Sequence, residues 1–356
     1  MKTDRIYIEI NTECNLRCIH CYNQSGSKRE NMDIQGFKRI IEFFLTNEEL
    51  SLQIAGGEPL LHPQINEYLS YLKEIGNDRI KISIITNGLL ASEVLTPYLL
   101  QENPFSLILS LDGASEKTNK YIRGPGHYEK VVSYMQFLSQ QGYCHGKSKM
   151  TINRYNLNDI EDFFELCLSY NFVPTYSFVT RSGLADTNWS KLNVAYADRV
   201  KAIELVKRLY ESNYKRIKDI NKAIDLQQIM YKPIVQCSLV GPIVAVRPLI
   251  KVNGNVQPCQ RLYDDIYSVG NLFLSDPETV FSDGNERFNA VTSILEKRAL
   301  LLKENVCPDC VIRDTCGCGC PGRAVDESSE IMGADPDCKL RIEEYIKNHL
   351  KYLFRG

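Results

Sequence analysis

Six short apolar runs recur along the first part of the chain, and stretches with helical periodicity lie between them. The runs cover residues 6–10, 52–55, 80–86, 105–111, 149–153 and 175–180. Apolar runs of this length are typical of parallel strands that are buried on both faces. Their spacing of roughly 30 residues is that of a strand–helix unit.

Apolar residues three and four positions apart predict amphipathic helices between these strands. In the first of them, Phe37, Ile40, Ile41, Phe44 and Leu45 share one face. Repeated strand–helix units imply a parallel sheet with right-handed crossovers, and six units are fewer than the eight of a closed barrel. We therefore predict an α/β fold, a partial (β/α)6 TIM-like barrel, with its site at the C-terminal ends of the strands.

The composition changes after this region. A polar stretch with helical periodicity comes first, and an Asn253-Gly254 turn between two short apolar segments then predicts a β-hairpin. A cysteine-rich segment that we expect to be rich in loops and a terminal helix over 340–354 complete the chain. The predicted domains are a core over 1–189, a helical connector over 190–235 and a small cysteine-rich domain over 236–356.

Charge and composition exclude several classes of protein. The 356 residues include 42 Lys and Arg against 44 Asp and Glu, so the net charge is −2 and nucleic acid is not the expected partner. The sequence has neither an apolar stretch long enough to span a membrane nor a signal-peptide pattern. We expect a cytoplasmic protein, in which thirteen cysteines indicate metal ligands before disulfides.

Cys14, Cys18 and Cys21 follow the first predicted strand at the spacing C-x3-C-x2-C. Three thiolates on one loop can bind a metal or an iron–sulfur cluster, and they leave one coordination position without a cysteine. The alternative is a structural zinc site, which prefers four protein ligands. His20 is an awkward fourth ligand because it is adjacent to Cys21.

Gly56-Gly57-Glu58-Pro59 follows the second predicted strand. Two glycines let the backbone come close to a small ligand, and the Glu58 carboxylate can accept a hydrogen bond from an ammonium group. The alternative is an ordinary tight turn between a strand and a helix. Together with the cysteine loop, this motif resembles those of the radical S-adenosylmethionine (SAM) enzymes, over residues 5 to about 185.

The resemblance implies a [4Fe–4S] cluster that is held by the three cysteines and binds the amino and carboxylate groups of SAM on its fourth iron. In that family the reduced cluster cleaves SAM to methionine and a 5′-deoxyadenosyl radical, which abstracts a hydrogen atom from the substrate. An electron donor such as flavodoxin or ferredoxin is implied as a partner.

The same resemblance implies a set of SAM contacts. Glu58 would face the methionyl amino group, Arg123 would pair with the SAM carboxylate, Asn153 would reach the ribose and Tyr22 would lie near the adenine. The full implied set is Tyr22, Gly56, Gly57, Glu58, Pro59, Thr86, Asn87, Ser110, Asp112, Arg123 and Asn153. The alternatives are a helix cap for Ser110, a turn former for Asp112 and a surface charge for Arg123. No catalytic acid or base is selected.

Seven cysteines of the second half form another pattern, which includes the spacing C-x2-C-x5-C-x3-C. Their order resembles that of the SPASM domain and implies two auxiliary iron–sulfur clusters, expected to be [4Fe–4S]. The resemblance assigns Cys307, Cys310, Cys316 and Cys338 to an outer cluster, and Cys237, Cys259 and Cys320 to an inner one. The inner cluster then has three cysteine ligands and an open or non-cysteine fourth site, and Cys318 is either that fourth ligand or a spectator. A pair of zinc knuckles is the alternative.

An auxiliary cluster would accept an electron from a substrate radical, so the resemblance implies an oxidative peptide maturase. We expect it to form a thioether, carbon–carbon or carbon–oxygen cross-link in a ribosomally made precursor peptide. Only 13 residues precede Cys14, so we expect the leader peptide to bind a separate recognition protein or the SPASM region. Alternatives are a formylglycine-forming sulfatase maturase, a tetrapyrrole side-chain enzyme, a small-alcohol dehydrogenase and a non-catalytic zinc scaffold.

Overall fold

The chain forms two compact units, residues 5–231 and residues 232–356. The computed structural model describes residues 5–45, 49–76, 79–101, 105–222, 247–310, 312, 316–328, 330–343 and 345. Cys237, the end of the predicted connector and most of the predicted terminal helix lie outside these ranges. The described helices of the predicted connector, Tyr196–Ser212 and Tyr214–Ile220, belong to the first unit.

The first unit is built on six parallel strands. They are β1 (Arg5–Glu9), β2 (Leu50–Ala55), β3 (Ile80–Thr86), β4 (Ser106–Ser110), β5 (Gly146–Ile152) and β6 (Val173–Phe178). Each strand pairs in parallel with the next one along the chain. The spatial order therefore follows the chain order, and the predicted (β/α)6 arrangement is confirmed.

Helices connect these strands. They are α1 (Ile34–Phe44), α2 (Ile65–Ile75), α3 (Ala91–Val94), α4 (Thr96–Leu99), α5 (Glu116–Arg123), α6 (His127–Gln140), α7 (Ile160–Ser169), α8 (Leu184–Thr187), α9 (Trp189–Leu192), α10 (Tyr196–Ser212) and α11 (Tyr214–Ile220). Asp33 caps α1 by accepting hydrogen bonds from two backbone N–H groups of its first turn. Among the described residues, no helix is long and apolar enough to cross a membrane.

The apolar helix faces form the core of this unit. Phe37, Ile40, Ile41 and Phe44 are buried, as their spacing predicts. Helix α10 packs on α7, where the ring centroids of Phe164 and Tyr210 lie 5.5 Å apart at an interplanar angle of 79°. The described part of the predicted connector thus contributes to the core of the first unit.

In the second unit, β7 (Leu249–Ile250), β8 (Asn255–Gln257) and β9 (Gly270–Asn271) pair in antiparallel fashion. The predicted hairpin between β7 and β8 is confirmed. Gly254 has a φ of +82°, which favours glycine, and its N–H donates to the Lys251 carbonyl at 2.8 Å. The helices are α12 (Pro277–Val280), α13 (Glu286–Asn305) and α14 (Pro321–Ser328).

Helix α13 was not predicted from the sequence, which was interpreted there as loop-rich. Its buried residues are Phe288, Val291, Leu295, Arg298 and Leu302, and their alternating spacing of three and four is a helical signal. A charged residue on the buried stripe and exposed leucines on the other side obscure that signal. Burial of the arginine becomes apparent only from the tertiary structure.

Phe163→Ala should destabilise the first unit, because Phe163 is fully buried and its ring lies 5.6 Å from that of Tyr176. We expect a loss of about 3–5 kcal/mol in the free energy of unfolding, measured by denaturant titration. Phe137→Ala is the matched control, since Phe137 is 40% exposed. Equal effects of the two substitutions would contradict the assigned core.

Candidate functional site

The loop after β1 carries Cys14, Cys18 and Cys21, and the Arg17 guanidinium fixes its shape. Nη1 of Arg17 donates to the carbonyls of Cys14 (2.7 Å) and Leu16 (2.8 Å). Nη2 donates to the Gly26 carbonyl at 2.9 Å. One side chain thereby holds both ends of the cysteine segment together, a role that the sequence analysis did not assign to it.

All described cysteines are free thiols, and N–H groups surround the three sulfur atoms of this loop. The contacts run to Cys14 from the Leu16 N–H (3.4 Å) and Asn87 Nδ2 (3.9 Å), to Cys18 from Arg123 Nη1 (3.8 Å), and to Cys21 from the Ser25 N–H (3.4 Å). Hydrogen bonds to sulfur stabilise cysteines that ligate an iron–sulfur cluster. The donor set therefore fits such a cluster.

Burial raises the pKa of the Cys18 thiol to about 12 and also raises that of Cys14. Because the thiolate is the ligand form, binding of a cluster would release these protons. Within the described residues, no group of three His, Cys, Asp or Glu side chains is placed as it would be around a single metal ion.

Gly56 and Gly57 allow the turn after β2 to lie against the start of the cysteine loop. A Cβ atom on Gly56 would lie 2.2 Å from Asn11 Oδ1, and one on Gly57 would lie 2.2 Å from the Glu13 carbonyl oxygen. The N–H of Glu58 donates to that same carbonyl at 2.7 Å. The absence of a Cβ at both positions thus lets this turn pack closely on the cysteine loop, and the predicted contacts of Gly56 and Gly57 with SAM stay predictions.

The Glu58 carboxylate is fully buried and joins the ends of β2 and β3. It accepts hydrogen bonds from Thr86 Oγ1 (2.6 Å), the Asn87 N–H (2.7 Å) and the Leu60 N–H (3.2 Å). Burial raises the pKa of Glu58 to about 7, although these three hydrogen bonds lower it. Pro59 begins the short 3₁₀ turn that carries the Leu60 donor.

Asp112 lies at the end of β4 and is fully buried. Its Oδ2 atom is 2.7 Å from Arg123 Nε and 3.1 Å from His20 Nε2, and its Oδ1 atom accepts the Thr151 N–H at 2.6 Å. Burial alone would raise the pKa of Asp112, but Arg123 and His20 hold it well below its usual range. An ionised carboxylate therefore holds Arg123 and the cysteine loop together.

A second network connects the ends of β3 and β4 through His127. Asn119 Oδ1 accepts the Asp112 N–H at 3.0 Å, and Asn119 Nδ2 lies 2.9 Å from His127 Nδ1. His127 Nε2 lies 2.7 Å from the Asn87 carbonyl. Because an amide nitrogen donates and a carbonyl accepts, His127 is neutral with its proton on Nε2. Burial lowers its pKa to about 4, in agreement.

The loop after β6 also supports the cysteine loop, although only a glycine marks it in the sequence. Gly183 has a φ of +58°, and the following N–H, from Leu184, donates to the Cys21 carbonyl at 2.8 Å. Asn188 Nδ2 donates to the Ile19 carbonyl at 3.0 Å. The cysteine loop is therefore held from the β6 side as well as from the β2 side.

The contacts described above link five residues of the predicted SAM set with two of the cysteines. Cys14, Cys18, Glu58, Thr86, Asn87, Asp112 and Arg123 are linked by the contacts above. Tyr22 donates to Glu9 Oε1 at 2.8 Å. Asn153 is buried. Its Oδ1 atom accepts a hydrogen bond from the Tyr155 N–H, and its Nδ2 atom donates to the Thr151 carbonyl. Ser110 is half-buried at the end of β4. Each SAM contact stays a prediction.

In the second unit, Cys307 lies near Cys310 and Cys316, and Cys338 lies near Cys316 and Cys307. The pKa of Cys307 is raised to about 11 by burial and by the neighbouring Cys318, Cys310 and Cys316. The pKa of Cys338 is raised to about 11 by burial and by groups that include Cys316 and Cys307. Buried Cys318 thus lies beside the outer set, and its thiol donates to the Ala299 carbonyl at 3.5 Å. Of the predicted inner set, Cys259 and Cys320 are described and Cys237 is not.

Residues 8–167 match the Radical SAM superfamily. The matched segment includes the cysteine loop, Glu58, Asp112 and Arg123. Over 334 residues it is 23% identical to the mycofactocin maturase MftC of Mycobacterium tuberculosis, covering 93% of this chain and 81% of that protein.

Solved structures share the fold. Streptococcus suis SuiB bound to S-adenosylmethionine superposes with a TM-score of 0.70 at 18% identity, over 94% of this chain and 77% of SuiB. The structure of anSMEcpe with bound AdoMet and the Kp18Cys peptide gives a TM-score of 0.71 at 18% identity, over 99% of both chains.

Asp112→Asn should strongly destabilise the first unit, because it leaves the buried Arg123 charge uncompensated. We expect a loss of about 3–5 kcal/mol in the free energy of unfolding. Asp186→Asn is the matched control, since Asp186 pairs with Arg181 at an exposed position, and we expect less than about 1 kcal/mol there. Denaturant titration of both variants checks this. A minor effect of Asp112→Asn would contradict the role of the Asp112 carboxylate in holding Arg123 and the cysteine loop together.

Glu58→Gln should alter the pH dependence of stability. In the folded protein the pKa of Glu58 is raised from 4.5 to about 7. The contribution of Glu58 to the free energy of unfolding is therefore complete below pH 4.5 and is lost as the pH rises through about 7. Over this pH range the free energy of unfolding of the native protein should fall by roughly 3 kcal/mol because of Glu58. The Glu58→Gln variant, whose side chain stays neutral, should not show this decrease.

Denaturant titrations at several pH values between 4.5 and 8 test this expectation. The measured quantity is the difference in the free energy of unfolding between Glu58→Gln and the native protein at each pH. Glu30→Gln is the control, because the Glu30 side chain is 52% exposed. A constant difference between Glu58→Gln and the native protein across this range would show that Glu58 titrates normally.

Proposed function

We propose that this chain is a radical SAM maturase that oxidatively modifies a ribosomally made precursor peptide. The observation that carries the proposal is the cysteine loop, whose three thiols face N–H donors and whose neighbours include the Glu58 carboxylate and the Arg123 guanidinium. The similarity to a mycofactocin maturase along 93% of the chain supports this class of reaction.

Cys14, Cys18 and Cys21 would hold a [4Fe–4S] cluster that leaves one iron for SAM. When bound, this group supplies the electron that cleaves SAM to methionine and a 5′-deoxyadenosyl radical. The protein's part is to position SAM. Asp112 engages Nε of Arg123 and fixes the direction of its remaining N–H groups, which suit a carboxylate. Above pH 7 the ionised form of Glu58 would attract the methionyl ammonium group.

Cys307, Cys310, Cys316 and Cys338 would hold an auxiliary [4Fe–4S] cluster, and the mutual closeness of their thiols supports this assignment. A second cluster on Cys237, Cys259 and Cys320 completes the proposal. These clusters would accept the electron that a substrate radical loses when a new bond forms. The net reaction removes two hydrogens from the peptide, with a thioether, carbon–carbon or carbon–oxygen cross-link as the product.

The peptide substrate is proposed by analogy with SuiB, whose structure has been solved with its precursor peptide SuiA. A separate leader-recognition protein, a flavodoxin or ferredoxin as electron donor, and a cytoplasmic location belong to the same proposal. A formylglycine-forming sulfatase maturase is the alternative. It would oxidise one Cys or Ser side chain without joining two residues.

The test combines anaerobically reconstituted protein, SAM, dithionite and a synthetic copy of any short peptide that is encoded beside the gene. We expect 5′-deoxyadenosine, together with a peptide that has lost two hydrogens and carries a cross-link detectable by tandem mass spectrometry. Cys18→Ala should abolish both products. Ready SAM cleavage with an unchanged peptide would contradict the proposed substrate class.

A further inference from the structure

A buried ion pair lies among the cysteines of the second unit. Arg341 and Asp335 are each 2% exposed, and Arg341 Nη2 donates to Asp335 Oδ2 at 2.6 Å. The other terminal nitrogen of the guanidinium, Nη1, donates to Cys316 Sγ at 3.4 Å. A positive charge is therefore held in hydrogen-bond contact with a cysteine sulfur, away from water.

The carboxylate of the same pair binds the backbone at another cysteine. Asp335 Oδ2 accepts the Cys320 N–H at 2.6 Å, and Oδ1 accepts the Asp337 N–H at 2.8 Å. Gly319 permits this approach, because a Cβ atom there would lie 2.5 Å from Asp335 Cβ. The pair thus connects the sulfur of Cys316 with the backbone of Cys320.

We propose that Arg341 raises the reduction potential of an iron–sulfur cluster bound through Cys316, and that Asp335 opposes it. This inference rests on the proposed function, because it takes Cys307, Cys310, Cys316 and Cys338 as cluster ligands. It goes further by assigning an electronic role to two residues that are not ligands.

The physical basis is the charge of the two redox states. A reduced cluster carries one more negative charge than an oxidised one, so a nearby positive charge and an N–H···S hydrogen bond stabilise it more. A carboxylate has the opposite effect, and burial strengthens both effects because screening by water is weak. The guanidinium contacts the sulfur of Cys316, and the carboxylate contacts the backbone N–H of Cys320. An added electron is therefore more stable near Cys316 than near Cys320.

The test isolates the auxiliary clusters in a Cys14→Ala, Cys18→Ala, Cys21→Ala background, in the full-length chain. After anaerobic reconstitution, dithionite supplies one electron per cluster while electron paramagnetic resonance (EPR) follows the reduced form. In this background Arg341→Gln should lower one midpoint potential, with at least a tenfold smaller equilibrium constant for reduction, which is 59 mV for a one-electron couple.

Asp335→Asn should shift the same potential in the opposite direction, because it removes the opposing negative charge. Arg341→Lys keeps the charge without the planar fork of donors, so its shift should be smaller than that of Arg341→Gln. Arg323→Gln is the matched control. Arg323 donates to Asp337 and is 18% exposed, so loss of its charge should shift the potential less.

The possible failures are distinguishable. A background variant that binds no iron would contradict the auxiliary clusters, and with them the proposed function. Iron-loaded variants with unchanged potentials would overturn only the tuning role. Loss of iron from both Arg341→Gln and Asp335→Asn, or shifts of the same sign, would make the pair a structural element and would equally overturn the proposal.

Discussion

The ion pair between Asp112 and Arg123 is the interaction on which the arrangement of the site depends. Asp112 follows strand β4, Arg123 ends helix α5, and His20 belongs to the cysteine loop, so one buried carboxylate joins three separate segments. Removing one partner from such a pair leaves an uncompensated buried charge, which is far more costly than losing an exposed pair. The position of the cysteine loop therefore depends on residues about 100 positions further along the chain.

The two units use the same construction beside cysteines that are predicted to bind clusters. In the first, Asp112 holds the Arg123 guanidinium with Nη1 3.8 Å from Cys18 Sγ. In the second, Asp335 holds Arg341 with Nη1 3.4 Å from Cys316 Sγ. A cluster with thiolate ligands is negatively charged, so a fixed guanidinium balances part of that charge where water is excluded. Carboxylate, arginine and cysteine thus form a recurring arrangement in this chain.

Much of the fold could be predicted because buried parallel strands are continuous apolar runs, and the three cysteines of the loop share a short segment whose spacing is visible directly. Long-range pairing was not predictable. The sequence offers Asp112 as a SAM contact or a turn former, and it does not indicate that His20 reaches this carboxylate. The glycines at positions 56 and 57 indicate a close approach, but the sequence did not indicate that the cysteine loop is one of the neighbours. Helix α13 was missed because Arg298, although charged, is buried on its apolar face.

The most direct test of this account is an EPR spectrum of the reduced, reconstituted protein with and without SAM, recorded for the native protein and for a variant that lacks the three cysteines of the loop. We predict that SAM changes the signal of the native protein, because three cysteines leave one iron free for it. The same addition should leave the Cys14→Ala, Cys18→Ala, Cys21→Ala variant unchanged. A native spectrum that does not respond to saturating SAM would contradict the central claim that the cysteine loop forms a SAM-binding cluster site.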